Sequence, residues 1–109
     1  MTFSIELLPR AQGDFEVMFS YLWKRSPEGA ESWRQAFELA TKRLKTNPLS
    51  CGLAPENKHF VFELRQLLFK TRYGRTYRAV FRIDESRVSI FRLCGPGQAP
   101  LSLDEIPYR

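Results

Sequence analysis

The spacing of apolar residues changes part-way along the chain, and this change restricts the fold more than any other feature of the sequence. Between about residues 10 and 46 the apolar residues recur at steps of three and four, the repeat of an amphipathic α-helix. From about residue 62 they alternate with polar residues, the period of two expected of strands. Helices followed by strands predict an α+β fold with the helices on one face of a curved sheet. A chain of 109 residues is long enough to form one hydrophobic core but not two, so residues 1–109 are predicted to form a single domain.

The first part of the chain predicts a strand and a helical hairpin. Thr2 to Leu8 alternates apolar with polar residues, and Pro9 ends this strand. The first helix is predicted from Arg10 to Lys24. Ser26 is suited to cap a second helix that begins at Pro27 and continues to about Thr46. Because the connection is short, the two helices are expected to be antiparallel, with a shared apolar face that must pack on another layer.

The rest of the chain predicts an irregular loop, from Leu49 to His59, followed by a three-stranded antiparallel meander. The strands are expected at Phe62–Thr71, Tyr77–Asp84 and Arg87–Cys94, the last two joined in a hairpin through Glu85 and Ser86.

The hairpin register follows from matching apolar residues across the two strands. If Ile83 faces Val88, slipping by one residue would place a charge opposite an apolar side chain. The further pairs are Phe81 with Ile90, Arg82 with Ser89, Val80 with Phe91, Ala79 with Arg92, and Arg78 with Leu93. One face is then almost wholly apolar and is expected to receive the helices. The opposite face, predicted to bind a partner, carries Arg78, Val80, Arg82, Ser89, Phe91 and Leu93.

Positive charge is concentrated in the same part of the chain. Residues 65–92 contain eight basic and two acidic residues, a balance of +6, whereas the rest has nine basic and ten acidic residues. The basic residues are Arg65, Lys70, Arg72, Arg75, Arg78, Arg82, Arg87 and Arg92. A segment with such an excess of positive charge attracts phosphate, nucleic acid or an acidic protein chain. Protection of the strands against edge-to-edge aggregation is the alternative interpretation.

Several classes of protein are excluded by composition. The apolar runs are far shorter than the roughly 20 residues that cross a bilayer, and the first ten residues lack the apolar stretch of a signal peptide, so a cytoplasmic protein is expected. Cys51, Cys94 and the single histidine, His59, do not form a metal-ligand set, so neither a metal nor a cofactor is predicted. The two cysteines are expected to be reduced thiols.

Four short sequence segments follow one another between Cys51 and Gln98. They are CGLAPE (Cys51–Glu56), ELRQLLFK (Glu63–Lys70), YRAVFRID (Tyr77–Asp84) and RVSIFRLCGPGQ (Arg87–Gln98). In this order and spacing they resemble the RelE/ParE superfamily, the toxins of bacterial type II toxin–antitoxin systems, and the resemblance extends from Phe3 to Gln98. It implies a growth-inhibiting toxin that a cognate antitoxin neutralises in a hetero-oligomer.

The resemblance leaves three functions open. RelE-like members cleave messenger RNA on the ribosome as metal-independent endoribonucleases, whereas ParE-like members bind and poison DNA gyrase without cleaving RNA. The third possibility is a member that has lost toxicity and acts only as a protein- or nucleic-acid-binding module. The fold does not distinguish these functions.

For RNA cleavage, the resemblance implies catalytic roles for Arg78, Lys70 and Arg72. Arg78 would stabilise the phosphate, and neighbouring positive charge would lower the pKa of a lysine acting as base. An exposed Arg78 is expected, so that its replacement would reduce growth arrest without unfolding the chain. The residues implied in binding RNA, the target or the antitoxin are Arg65, Arg75, Arg82, Phe91, Leu93 and Gln98.

The end of the sequence differs from the nuclease pattern. RelE-like enzymes have a basic residue and a tyrosine after the last strand, whereas Cys94 to Pro100 contains neither. Tyr108 is one residue from the end of the sequence, and His59 is a lone histidine in a loop. The sequence does not determine whether either residue takes part in catalysis.

Overall fold

Two helices pack on one face of a four-stranded sheet in the part of the chain that this computed structural model describes, residues 2–106. The elements are β1 (Ser4–Leu7), α1 (Pro9–Arg25), α2 (Pro27–Leu44), β2 (Arg65–Phe69), β3 (Tyr77–Asp84) and β4 (Arg87–Cys94). Short 3-10 turns cover Pro48–Ser50, Pro55–His59 and Leu103–Glu105. The strand order is β1-β4-β3-β2, with β1 parallel to β4 and the other pairs antiparallel. The predicted α+β fold is confirmed.

The predicted helix boundaries differ from the observed ones by one or two residues. The Ser26 side chain accepts a hydrogen bond from the backbone N–H of Gly29 at 3.0 Å, so the predicted cap of α2 is confirmed. Pro9, predicted only to end β1, is also the first residue of α1. β3 and β4 have the predicted bounds, while β2 is shorter than predicted at both ends, beginning at Arg65 after a bend in the chain and ending at Phe69.

The main core lies between the helical hairpin and the sheet. Trp33 and Phe37 of α2 pack against Phe69 of β2, with ring centroids 5.9 and 5.2 Å apart. Tyr77 of β3 meets the Trp33 ring edge-on at 5.4 Å. Trp33 and Phe37, on the apolar face of α2, therefore serve packing, as their helical spacing predicts.

A β-bulge interrupts the β3–β4 hairpin and alters the predicted register. Ile83 pairs with Val88 and Phe81 with Ile90, as predicted, but Val80 then pairs with Arg92. Beyond the bulge Ala79 pairs with Leu93 and Arg78 with Cys94, so the pairs predicted there are wrong. The extra residue on β4 changes which side chains face the helices.

Leu93 lies in the main core, 1% exposed, and not on the opposite face. Its predicted position on the face opposite the helices is wrong, because the bulge moves it to the helix side of the sheet, while its part in binding a partner stays a prediction.

The sheet face opposite the helices is also buried. Val80, Phe91 and Cys94 form a second core with Leu101 and Ile106 of the C-terminal segment. Ala54, Leu64 and Leu8 complete the cluster, with Phe60 and Phe62 packed against it. Phe91 lies on the predicted face but is 2% exposed, so the expectation that it is open at the surface is wrong, while its part in binding a partner stays a prediction. A sheet with apolar residues on both faces needs a cover on both, and the chain supplies the second cover itself.

We call this second side the covered face, meaning the sheet side that carries Arg78, Val80 and Phe91 beneath residues 54–64 and 101–106.

Neither α1 nor α2 is both apolar enough and long enough to cross a bilayer, and the same holds for every other helix in residues 2–106.

Candidate functional site

Arg78 lies at the centre of the covered face and is bound to Glu56. Its two terminal nitrogens donate to the two carboxylate oxygens of Glu56, at 2.9 and 2.5 Å. One of them also donates to Gln66 Oε1 at 3.3 Å. The Arg78 side chain is 15% exposed and that of Glu56 is 1% exposed. The salt bridge is bidentate and largely buried, and bidentate hydrogen bonds between charged groups are among the stronger ones. Arg78 is therefore not the exposed arginine that the sequence predicted.

Glu56 also holds the C-terminal segment over the sheet. Its Oε2 accepts a hydrogen bond from the backbone N–H of Leu101 at 2.7 Å. Burial alone would raise the pKa of Glu56, but the Arg78 guanidinium and the Leu101 N–H outweigh it and lower the pKa. The Glu56 hydrogen bond in turn raises the pKa of Arg78, against the opposing effect of burial. Both groups are therefore charged at neutral pH, and Arg78 cannot act as a base.

Arg92 is neutralised in a similar way on the other side of the sheet. Its Nε and one terminal nitrogen donate to the two carboxylate oxygens of Asp14 in α1, at 2.8 and 2.9 Å. Asp14 also accepts the backbone N–H of Leu93 at 2.9 Å, next to the bulge. Arg92 donates further to the carbonyl oxygen of Glu105 at 2.7 Å. These bonds fasten α1 and the C-terminal segment to the irregular part of β4.

Arg65 is the third basic residue of the segment with a carboxylate partner. It forms a salt bridge with Glu63, at 3.0 Å, and donates to the carbonyl oxygen of Cys51 at 2.6 Å. Its side chain is mostly buried by these contacts. The three acids that neutralise the segment, Asp14, Glu56 and Glu63, all lie outside residues 65–92.

The other five cations of the segment have no carboxylate partner within residues 2–106, and three of them stand close together in sequence. Lys70, Arg72 and Arg75 are exposed in the β2–β3 connection, which we call the basic loop, residues 70–76. The Arg72 guanidinium lies 5.2 Å from the ring centroid of Tyr73, which is 89% exposed. This loop presents both positive charge and an aromatic ring to solvent.

The structure does not join the three predicted catalytic residues. Lys70 follows the end of β2 and lines a shallow cavity with Leu39 and Ala40 of α2. Arg72 contacts Tyr73, and no described hydrogen bond or ion pair links either residue to Arg78. On β2 the side chains alternate between the two sides of the sheet: Gln66 contacts Arg78 on the covered face, while Leu67 and Phe69 face the helices.

The remaining predicted site residues lie apart from one another. Arg82 stacks over the Phe62 ring at 4.3 Å. Gln98 closes a turn, accepting the Gly95 N–H at 3.0 Å on its side chain. His59 is exposed at the end of a 3-10 turn. Tyr108 lies outside the described residues.

The two cysteines have the properties of buried thiols. Burial raises the pKa of Cys94 to about 11 and also raises the pKa of Cys51, so both are protonated at neutral pH. No disulfide joins them. Across residues 2–106, the histidine, cysteine and acidic side chains do not gather into groups of three or more.

Glu56 is the residue of this site that sequence reasoning missed. It is the single acid in the otherwise uncharged and basic stretch between Leu49 and His59, and it lies in one of the segments used to recognise the superfamily. An isolated acid before a strongly basic strand could have suggested an ion pair. Its partner could not be named without knowing that this loop folds back over β3.

Comparison with known proteins agrees with the topology. The family model for the ParE toxin of the type II toxin–antitoxin system parDE matches residues 5–95, most of the chain. The chain belongs to the ParE toxin family.

Among solved structures, this ParE-family toxin is similar to a chain of the chromosomal ParDE toxin–antitoxin system from P. aeruginosa. The two share 18% identity with a TM-score of 0.67, and the match covers 87% of this chain and 97% of the other. At this identity the likeness supports the fold alone. No curated protein matches the sequence.

Proposed function

We propose that this protein is a growth-inhibiting toxin, neutralised by a cognate antitoxin, that acts by binding DNA gyrase and not by cleaving RNA. The proposal combines family membership with the state of Arg78. The family model describes toxins of parDE systems, and the similar solved chain comes from a ParDE system. Gyrase is the target implied by the ParE side of the superfamily resemblance.

The observation that carries the proposal is the Arg78–Glu56 pair. Cleavage at a 2′-hydroxyl needs a base, an acid and free cationic donors around one phosphate. Both terminal nitrogens of Arg78 are already bound to a carboxylate, which would repel a phosphate at the same position. Access is limited as well, since residues 54–64 and 101–106 lie over this face. A structural role for Arg78 is therefore favoured over phosphate binding.

The basic loop is the region best suited to contact a target. Lys70, Arg72 and Arg75 are exposed without carboxylate partners in the described chain, and Tyr73 offers an exposed ring beside them. Exposed positive charge speeds association with an acidic surface, and aromatic and arginine side chains contribute strongly to protein interfaces.

An antitoxin would have both charge and apolar surface to cover. Val17 and Tyr21 of α1, Leu39 of α2 and Leu68 of β2 are large apolar residues that are at least half exposed. An acidic, amphipathic chain could bury these side chains and neutralise the cations of the basic loop. This chemistry supports a cognate antitoxin as partner.

Two assays run in parallel on purified protein test the proposal. One measures gyrase–DNA cleavage complexes, and the other measures cleavage of messenger RNA on programmed ribosomes. We expect stabilised cleavage complexes and intact message. Cleaved message would instead establish a RelE-like nuclease, and inactivity in both assays together with normal growth on expression would establish a non-toxic binding module.

A further inference from the structure

A cavity of about 450 Å³ opens between the α1–α2 turn and the basic loop. Its walls are mainly apolar and include the rings of Tyr21, Trp33 and Tyr77 and the side chain of Leu22. Cavities of this size and character are typical of sites for small organic ligands. It is separate from the covered face, because none of its lining residues belongs to the second core.

The polar groups of the cavity favour an anion. Arg25 and Arg75 contribute two guanidinium groups, and no aspartate or glutamate among residues 2–106 lines the cavity. Arg25 lies over the Tyr21 ring at 4.8 Å, and neither arginine has a carboxylate partner in the described chain. Two unneutralised guanidinium groups beside apolar walls suit a carboxylate or phosphate attached to a flat apolar body.

Trp33 adds an unpaired donor to this region. Its indole N–H is buried without a hydrogen-bond partner within residues 2–106, although the ring lines the cavity. A buried N–H without a partner is unfavourable, because it has lost its hydrogen bond to water without gaining another. Since the nitrogen is closed to solvent, an acceptor group would reach it only after a small movement of the side chains over it. Such an acceptor would satisfy the donor.

Two glycines lie near Arg75 at the cavity mouth. A β-carbon at Gly74 would overlap the Thr71 hydroxyl, so a larger residue there would require the Thr71 side chain to rotate. Gly97 has a φ of +75°, a conformation that favours glycine, and a β-carbon there would make an ordinary contact with Arg75 at 3.7 Å. The left-handed turn at Gly97 therefore lies against the Arg75 side chain.

We propose that this cavity binds a small organic anion that carries a carboxylate or phosphate monoester on a flat apolar body. The apolar walls would hold the body and the two arginines the anionic group. The cavity shares Arg75 with the basic loop, but this proposal does not rest on the proposed action on gyrase, since its test measures binding of a small anion and not toxicity.

The indole N–H resonance of Trp33 provides a direct test. A Trp23→Phe background leaves Trp33 as the single tryptophan, and Trp23 does not line the cavity. Indole-3-acetate, phenyl phosphate and the neutral indole-3-acetamide are titrated in turn while the ¹H–¹⁵N spectrum is recorded. We expect a saturable shift of the Trp33 resonance with at least one anion, and binding about tenfold weaker for the neutral probe.

Paired variants separate this site from general charge attraction. Arg25→Gln with Arg75→Gln should weaken binding about tenfold or more, while Lys42→Gln with Arg87→Gln, an equal change of charge elsewhere, should leave it unchanged. Stronger binding of phenyl phosphate would assign the site to phosphate esters, and stronger binding of indole-3-acetate to carboxylates. No saturable shift with either anion, or equal loss in both paired variants, would overturn the proposal.

Discussion

The covered face and the basic loop belong to the same positively charged segment of sequence, yet their arginines are in opposite states. On the covered face Arg78 is largely buried and bound to Glu56. On the basic loop Arg72 is exposed, and its described contact is with the Tyr73 ring. The comparison shows that a cluster of charge in a sequence does not reveal which of its members are neutralised, because the acids come from other parts of the chain.

This difference assigns separate tasks to the two regions. Around Arg78 the charges tie the C-terminal segment and the loop before β2 to the sheet, through Glu56 and Leu101. Around Arg72 and Arg75 they remain available to a partner. The covered face is therefore expected to govern stability and the basic loop to govern toxicity, and substitutions in each region test this division.

Replacement of Arg78 by alanine should have the largest effect on stability. Glu56 would keep a buried charge without its partner, which costs about 3–5 kcal/mol in the free energy of unfolding. Urea denaturation of the purified protein measures the loss. Arg87→Ala, at an exposed residue of the hairpin, is the matched control and should change stability by less than about 0.5 kcal/mol. Equal stability of the two variants would contradict a structural role for Arg78.

Asp14→Asn should have the next largest effect. The asparagine would lose the charge opposite Arg92 while keeping an acceptor for the Leu93 N–H, so we expect a loss of about 2 kcal/mol. Thermal and urea unfolding measure it. Glu16→Gln, on the same helix and exposed, serves as control. If Asp14→Asn lowers the free energy of unfolding no more than the control does, the Asp14–Arg92 pair does not stabilise the bulge.

The contribution of Glu56 should depend on pH. Because its pKa is lowered in the folded chain, the ionised form stabilises the protein fully above the ordinary glutamate pKa of about 4.3, and this stabilisation is lost as the pH falls through the lowered value. The stability gap between wild type and Glu56→Gln should therefore narrow on acidification, by about 1.4 kcal/mol for each unit of lowering. A gap that stays constant down to acid unfolding would argue against the ion pair.

Neutralising the basic loop should have the smallest effect on stability and a large one on toxicity. The free energy of unfolding of the triple variant Lys70→Gln, Arg72→Gln and Arg75→Gln should differ from that of wild type by less than about 0.5 kcal/mol, because these side chains are exposed. Growth arrest on expression should be reduced or lost. A control that removes three cations elsewhere, at Lys42, Lys45 and Arg87, should remain toxic. Equal toxicity of the two triple variants would remove the basic loop from the target interface.

Much of the fold could be predicted from the sequence because its signals are local. The helical repeat, the Ser26 cap and the alternation on β3 and β4 each depend on residues close together in the chain. These signals were sufficient for the element order and for the half of the hairpin register next to the turn, where Ile83 pairs with Val88.

The rest depends on contacts between distant residues. Alternation assumes an uninterrupted ladder, so it could not predict a bulge near Phe91, where Asp14 of α1 binds the Leu93 N–H. The cover of the second face comes from a short C-terminal segment with little periodicity of its own. The free or bound state of Arg78 followed from that cover, and the candidate site was therefore less predictable than the fold.

Growth arrest by a double variant, Glu56→Gln with Arg78→Met, tests most directly whether Arg78 supports the fold or the activity. Removing both charges avoids the unpaired buried carboxylate of Arg78→Ala, and an amide at residue 56 keeps an acceptor for the Leu101 N–H. If Arg78 is structural, the double variant should be more stable than Arg78→Ala and should arrest growth at close to the wild-type level. A double variant that is folded and expressed like wild type but does not arrest growth would contradict this conclusion and assign Arg78 to the activity.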